Sequence, residues 1–437
     1  MADVNQVITL GIGTPGDIPH FILLGLTPEG SAPPFVPPSA GAQGGWELYI
    51  RHYDRDGVLK NPAIAPLWCR FTLSVDQDEP VVFALTGQHP AIAATLAGAG
   101  NAFVEFDIIE VLVRNRGIGI TDWTRAAIGI LRSFEIETDD NLITTWTMYA
   151  PQEKHILSWR HVLWHAGFNN RSTFDAVPAE TIMKTVVQYN ATSDASIANG
   201  RWREGDLQIG MGVTVTIEAD DSGGQTLSAS FVGANVLAIL GKLAAQAEGD
   251  FSLAWAGAGT SEWLFTFHPG QMGADKSTGS GRVLFSLKNG TMSNPRLKLL
   301  GATATAAISA GEGEGAKRQV SEVTGADFAA DADIEIFVDA RQAKTPEMRV
   351  FRGQERLHES RVTRELTFDV IQTSDIFYAP VEITGRKTYR TGDLVLAEYP
   401  PGAGTEVRKI IAITVDWQVR NRASSWQVRV DTQIHNA

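Results

Sequence analysis

The sequence predicts a mainly β protein with an α+β middle domain. Short apolar runs with a period of two recur over residues 46–150 and again over 291–437, set between turns, as half-buried strands do. Between these regions apolar residues fall three and four apart, the spacing of a helix face. The chain has 437 residues with 42 Gly and 19 Pro. That composition suits many turns and short strands, and the length allows more than one core.

Residues 1–26 hold two apolar runs, V-I-T-L-G-I-G and F-I-L-L-G-L, hinged at Pro15 and Pro19. Such a piece cannot bury Ile8, Leu10, Phe21, Leu23 and Leu24 by itself, so it is expected to be an arm that lies on its own body or on a neighbouring chain. The run is too interrupted for stable membrane insertion. Its opening residues lack the basic region of a secretory signal, so synthesis and assembly in a cytoplasm are expected. Residues 27–45 are a Pro/Gly/Ala linker, part stiff and part flexible.

Residues 46–165 read as a first β domain, a sandwich or barrel. W-E-L-Y-I-R-H-Y-D-R-D-G-V-L opens it with strict alternation, and Asp56-Gly57 supplies hairpin chemistry. C-R-F-T-L-S-V, V-V-F-A-L, F-V-E-F-D-I-I-E-V-L-V-R-N, I-G-I-L-R-S-F-E-I-E-T and L-I-T-T-W-T-M-Y follow, with A-I-A-A-T-L-A-G-A as a helical turn. The spacing then predicts a helix in I-L-S-W-R-H-V-L-W-H-A-G, ending at Gly167. Residues 166–290 read as the α+β domain. P-A-E-T-I-M-K-T-V-V-Q-Y-N is a helix with Pro178 in its first turn. V-G-A-N-V-L-A-I-L-G-K-L-A-A-Q-A-E-G is another, stopped by Gly249. Strands F-S-L-A-W, E-W-L-F-T-F and R-V-L-F-S-L-K close the block. Residues 291–437 return to β, with D-I-E-I-F-V-D, L-T-F-D-V-I-Q-T, D-L-V-L-A-E-Y, R-K-I-I-A-I-T-V-D-W-Q-V-R and S-W-Q-V-R-V-D. R-G-Q-E-R-L-H-E-S-R-V-T-R-E is read as a charged helix among them.

The formal net charge of −13 argues against specific nucleic-acid binding, which needs a basic face. Cys69 is the only cysteine, so neither a disulfide framework nor a Cys-rich zinc site is available. I-S-A-G-E-G-E-G-A-K-R (308–318) looks at first like a phosphate loop. Its glycines lie two apart, and Lys317 is followed by Arg318 where Ser or Thr belongs. Glu312 and Glu314 also bring charge of the wrong sign. Gly311, Glu312, Gly313 and Glu314 are therefore read as a tight structural connection. His161 and His165 lie four apart, yet Val162 stands where a metalloprotease needs Glu, and a packed helix face accounts for them more simply. Asp54/Asp56, Asp139/Asp140 and Asp220/Asp221 fall at turns, where Asp bonds the backbone. No G-x-S-x-G elbow occurs. No catalytic group, cofactor or metal is expected. The 11 tryptophans lie mostly at strand edges or turns and suit interfaces or sugar platforms.

With these segments in hand, the chain resembles the hub proteins of phage tails. The likeness rests on Tyr49, Arg51, Asp54, Arg55 and Gly57 in the opening strand pair and on D-A-V-P-A-E-T-I-M-K-T-V-V. It rests also on V-L-F-S-L-K-N-G-T-M-S-N-P with the Gly-Glu run, and on Y-R-T-G-D-L-V-L with Gly392 and Asp393. It covers 46–437, and the arm departs from the pattern. The resemblance implies two tube-type β-barrels flanking the α+β domain, a non-enzymatic homotrimer forming a pseudo-sixfold ring, and a virion location at the tail tip, lining the DNA channel. It implies a distal tail or tail tube protein on one side, a tip or fibre protein on the other, and a tape-measure protein as a further partner. The Gly-Glu run would then be a barrel connection. The competing expectations are a tail-associated cell-wall hydrolase, which needs two carboxylates across a cleft, and a carbohydrate- or receptor-binding tip protein.

Overall fold

The alternation in E-L-Y-I-R-H-Y is realised as strand β1 (Glu47–Tyr53), which opens the first β region. The computed structural model describes residues 45–75, 79–165, 171–329, 331–373, 376–402, 404–420 and 423–434. The arm and its candidates Ile8, Leu10, Phe21, Leu23 and Leu24 lie outside the described residues. After β1 come β2 (Leu59–Ile64), β3 (Trp68–Ser74), β4 (Pro80–Thr86), α1 (Pro90–Ala97), β5 (Ile108–Asn115), β6 (Ile120–Ile130), β7 (Ser133–Thr138), β8 (Thr144–Pro151) and α2 (His155–Ser158). The Ala-rich turn is α1, stopped by Gly98 in the left-handed region.

The middle region carries β9 (Ser172–Pro178), α3 (Ala179–Ala191), α4 (Leu207–Met211), β10 (Thr214–Ile217), β11 (Thr226–Phe231), α5 (Val236–Gln246), β12 (Asp250–Trp255) and β13 (Glu262–His268). The helix expected over W-R-H-V-L-W-H is absent, and α2 ends at Ser158. Val162 instead pairs in extended form with the connection between β11 and α5: its N–H donates to Ala234 O at 2.8 Å, and its carbonyl accepts from Gly233 N at 2.7 Å. Tertiary pairing buries Val162 completely and overrides the helical spacing. Pro178 sits at the N-cap of α3 rather than in its first turn. Helix α5 starts where Asn235 caps it.

The last region contains β14 (Leu284–Ser286), β15 (Met292–Leu300), β16 (Ala306–Ala310), β17 (Val320–Thr324), β18 (Glu335–Asp339), α6 (Pro346–Ser360), β19 (Thr363–Val370), β20 (Ile376–Tyr378), β21 (Lys387–Tyr389), β22 (Leu394–Glu398), β23 (Glu406–Arg420) and β24 (Ala423–Ile434).

The two β regions join in one ten-stranded sheet of order β15-β19-β24-β23-β3-β4-β8-β7, with β22 and β14 branching from β23. The seam is the β3–β23 pair, with Phe71 opposite Val415 and Cys69 opposite Trp417. This path is open, and no barrel closes among the described strands. The sheet β2-β1-β5-β6 shares a core with it. In that core Trp46 stacks on Trp426 at 4.2 Å, beside fully buried Phe71, Phe83 and Phe368. A second core joins α3 and α5 to β12 and β13 through Ile182, Val186, Leu240, Trp263 and Phe265.

Residues 301–362 form an excursion from the large sheet. Strands β15 and β19 flank it and pair with each other, Leu297 opposite Leu366. The excursion builds its own sheet, β17-β16-β18, with α6 on one face and a small core of Ala304, Ala307, Val338 and Leu357. The chain is thus mostly β with a helical middle, as its sequence indicates, and carries an inserted module within the last β region.

Candidate assembly site

Among the described residues the large sheet ends in two strands that pair on one side only, and their sequences are complementary. Setting β14 and β22 aside, eight strands remain between β15 and β7. Every step along that path is antiparallel, so β15 and β7 run in opposite directions. A second copy laid beside the first in the same orientation meets it antiparallel, and the ladder continues across the joint.

The faces match as well. On β7, Phe134 and Ile136 lie opposite Met148 and Trp146 of β8, residues of the main core. On β15, Leu297 lies opposite buried Leu366, and Leu299 follows on the same face. On the other face β7 presents Glu135 and Glu137, while β15 presents Arg296 and Lys298. Side chains alternate along a strand, so extending the sheet would place apolar beside apolar and carboxylate beside cation. Every residue of β7 is exposed. Phe134 covers part of its ring on Trp146, with centroids 4.8 Å apart, and Glu135 accepts from Tyr149 Oη at 3.1 Å. Among the described residues Glu137 and Arg296 make no ion pair. Lys298 lies 3.6 Å from Glu365. Pro295 withholds a donor and Lys298 adds charge, devices that stop an edge from pairing indiscriminately. Leu299 and Leu300 nonetheless remain exposed beside them.

The polar face of the same sheet is laced by paired groups: Arg70 with Asp416 at 2.5 Å, Arg429 with Asp369 at 3.1 Å, and Thr72 with Thr414 at 3.0 Å.

The Gly-Glu run is a tight connection between two antiparallel strands. It is the tip between β16 and β17 on the inserted module. Gly311 N donates to Gln319 O at 2.7 Å, and Arg318 binds the carbonyls of Gly311 (3.0 Å) and Ala310 (3.1 Å). Gly313 has φ +103°, and a Cβ there would stand 2.6 Å from Lys317 O, so only glycine fits. Gly311 is buried, whereas Glu312 and Glu314 are exposed. Gly392 and Asp393 lie inside the body. Asp393 Oδ1 accepts from Ala274 N at 2.8 Å, its Oδ2 accepts from Arg390 N at 2.8 Å, and Lys276 Nζ is 3.3 Å away. The turn before β22 is thereby tied to the segment after β13.

His161 and His165 do not converge. His161 Nδ1–H donates to Gly233 O at 2.9 Å. His165 stacks on Tyr189 at 3.9 Å, and burial pushes its imidazole down to about 4. Among the described residues no group of three or more His, Cys, Asp or Glu side chains could hold a metal. Asp54 and Asp139 accept from backbone N–H groups of their own turns. Burial pushes the Cys69 thiol up. Among the described residues no helix is long and apolar enough to cross a membrane.

The model of the family described as siphovirus ReqiPepy6 Gp37-like protein matches residues 108–430. Among solved structures, the 43 kDa tail protein of prophage MuSo2 from Shewanella oneidensis is similar over 88% of this chain and 98% of its own, at 13% identity and a TM-score of 0.51. The tail protein from Neisseria meningitidis MC58 is 11% identical, with coverages of 89% and 96% and a TM-score of 0.47. Prophage tail protein gp18 from Listeria monocytogenes EGD-e is also 11% identical, with 88%, 94% and 0.44. Of these, only the MuSo2 protein is close enough to speak for the fold. No curated protein matches this chain.

Proposed function

Since the chain belongs to the siphovirus ReqiPepy6 Gp37-like protein family, we propose that it is a structural phage tail protein whose copies join edge to edge in a ring. The observation that carries this reading is the match of β7 to β15 in direction, in face and in charge. A head-to-tail joint of this kind closes into a ring when its rotation permits. On this reading the assembly is a homotrimeric hub with pseudo-sixfold character, joining the tail tube to the tip. Residues 46–165 and 291–437 supply two tube-type β modules flanking the α+β domain 166–290. The polar face of the large sheet, with its Thr and paired charges, lines the DNA channel. A distal tail or tube protein binds on one side and a tip or fibre protein on the other, with a tape-measure protein as a further contact.

The test is native mass by light scattering with negative-stain images of the same peak. Three copies of the 47.3 kDa chain with a ring-like end view are expected. Glu137→Arg should shift the protein to monomer, and adding Arg296→Glu should restore the ring. A ring unmoved by either single change would sink the edge reading. The arm makes a separate prediction: deleting residues 1–45 should leave the body folded and weaken incorporation into particles, and normal incorporation would refute it.

A further inference from the structure

The inserted module meets the middle region across a cleft of about 700 Å³. Its walls come from α6, the segment after β18, and the β11 and α5 side of the middle region. Arg171, Lys242, Arg341, Arg352 and Arg356 all line it, in a chain whose overall charge is strongly negative.

Carboxylates are oversubscribed there. Lys242 reaches Glu355 at 2.5 Å and Glu359 at 3.2 Å. Arg352 shares Glu355 at 2.8 Å, and Arg356 shares Glu359 at 2.5 Å. Asp339 serves both Arg318 and Arg341. Among the described residues Arg171 reaches no carboxylate. It donates instead to the backbone carbonyl and side-chain oxygen of Gln342, both neutral. Burial and then the nearby Arg352 push its guanidinium pKa down, so the positive charge is held where nothing inside the described fold offsets it. Val338, Ala343 and Met348 give the cleft an apolar floor.

We propose that this cleft binds an acidic peptide segment of a partner protein, with Arg171 as the anchor for its carboxylates. A guanidinium fork suits bidentate carboxylate. The volume exceeds that of a lone inorganic anion, and the apolar floor suits aliphatic side chains between the acidic ones. That apolar floor favours a peptide over a nucleic-acid strand, whose backbone has no aliphatic side chains to place there. The inference rests on the cleft and not on the ring, so neither falls with the other.

The experiment uses the full chain and a fluorescein-labelled peptide of alternating glutamate and leucine, read by anisotropy at two salt concentrations. Saturable binding that weakens with salt is expected. The glutamine counterpart should bind at least about tenfold more weakly, and Arg171→Ala should cost a similar factor at an unchanged melting temperature. Arg341→Ala, on the more exposed rim, provides a second reading should Arg171→Ala fold poorly, and it should weaken binding by a smaller factor. Equal binding of both peptides, affinity unmoved by both substitutions, or tighter binding of an oligothymidylate would overturn the proposal.

Discussion

The large sheet and the inserted module are both β structures covered on one face, yet they are held together by different means. The large sheet buries aromatic side chains in a core that also includes Trp46, Phe71, Phe83, Phe368 and Trp426. Among the described residues the module has only small clusters, Ala304, Ala307, Val338 and Leu357 in one and Ala340, Ala343 and Met348 in another, and surrounds them with ion pairs. Exposed pairs contribute little to stability, whereas burying a Phe contributes about 1.5–3 kcal/mol. The large sheet should therefore set global stability, while the module should open more readily and answer to local changes.

The sharpest way to break this contrast is Phe368→Ala. Its ring is fully buried, so truncation should cost about 3–5 kcal/mol in urea unfolding, with loss of amide protection across β19, β24 and β23. Leu357→Ala should instead remove protection mainly over 301–362. If it exposes β23 as strongly, the two regions unfold as one. Gly353→Ala comes next in size. A Cβ there would stand 2.8 Å from Val323 Cγ2 and 2.9 Å from Ser309 Oγ, forcing α6 off its sheet at about 1–3 kcal/mol. Hydrogen exchange should show that loss in the module, with the large sheet untouched.

Acid offers a gentler probe. Burial pushes His165 and His358 down to about 4, and Arg361 adds to the effect at His358. An unfolded histidine titrates near 6.5. Between those values the unfolded chain binds more protons, so stability is full above about 6.5 and falls as pH drops towards about 4. Melting temperature followed from pH 7 to pH 4 should show that decline. His358→Gln should flatten the decline in module protection and leave the contribution of His165 in place. The smallest effect on stability is expected at the edge. Glu137→Arg, on a fully exposed strand, should stay within about 0.5 kcal/mol in unfolding while changing assembly, which separates folding from joining.

Much of the local structure was legible. E-L-Y-I-R-H-Y alternates and forms β1, and V-V-F-A-L lies within β4. The apolar spacing of α3 and α5 was readable because each helix buries one side in the core it shares with β12 and β13. Helix α6 was readable from its charged segment, although it begins earlier, at the Thr345 cap. Spacing failed at W-R-H-V-L-W-H because Val162 is buried by a backbone pairing with residues far along the chain. The two terminal strands of the large sheet also carry a sequence signal: S-F-E-I-E-T and R-L-K-L-L both alternate apolar and charged, with opposite signs. Read one at a time, they are ordinary strands.

Side-chain alternation, helix spacing and turn chemistry are local, so composition and order alone determined a mainly β chain with a helical middle and no recognisable catalytic motif. Sheet partners are not local. Only the tertiary structure decided that β3 pairs with β23, that 301–362 leaves and rejoins the large sheet, and that β7 and β15 end its order of described strands. The backbone groups of a strand bond any neighbour of suitable direction, and the choice is made by which faces can be buried together.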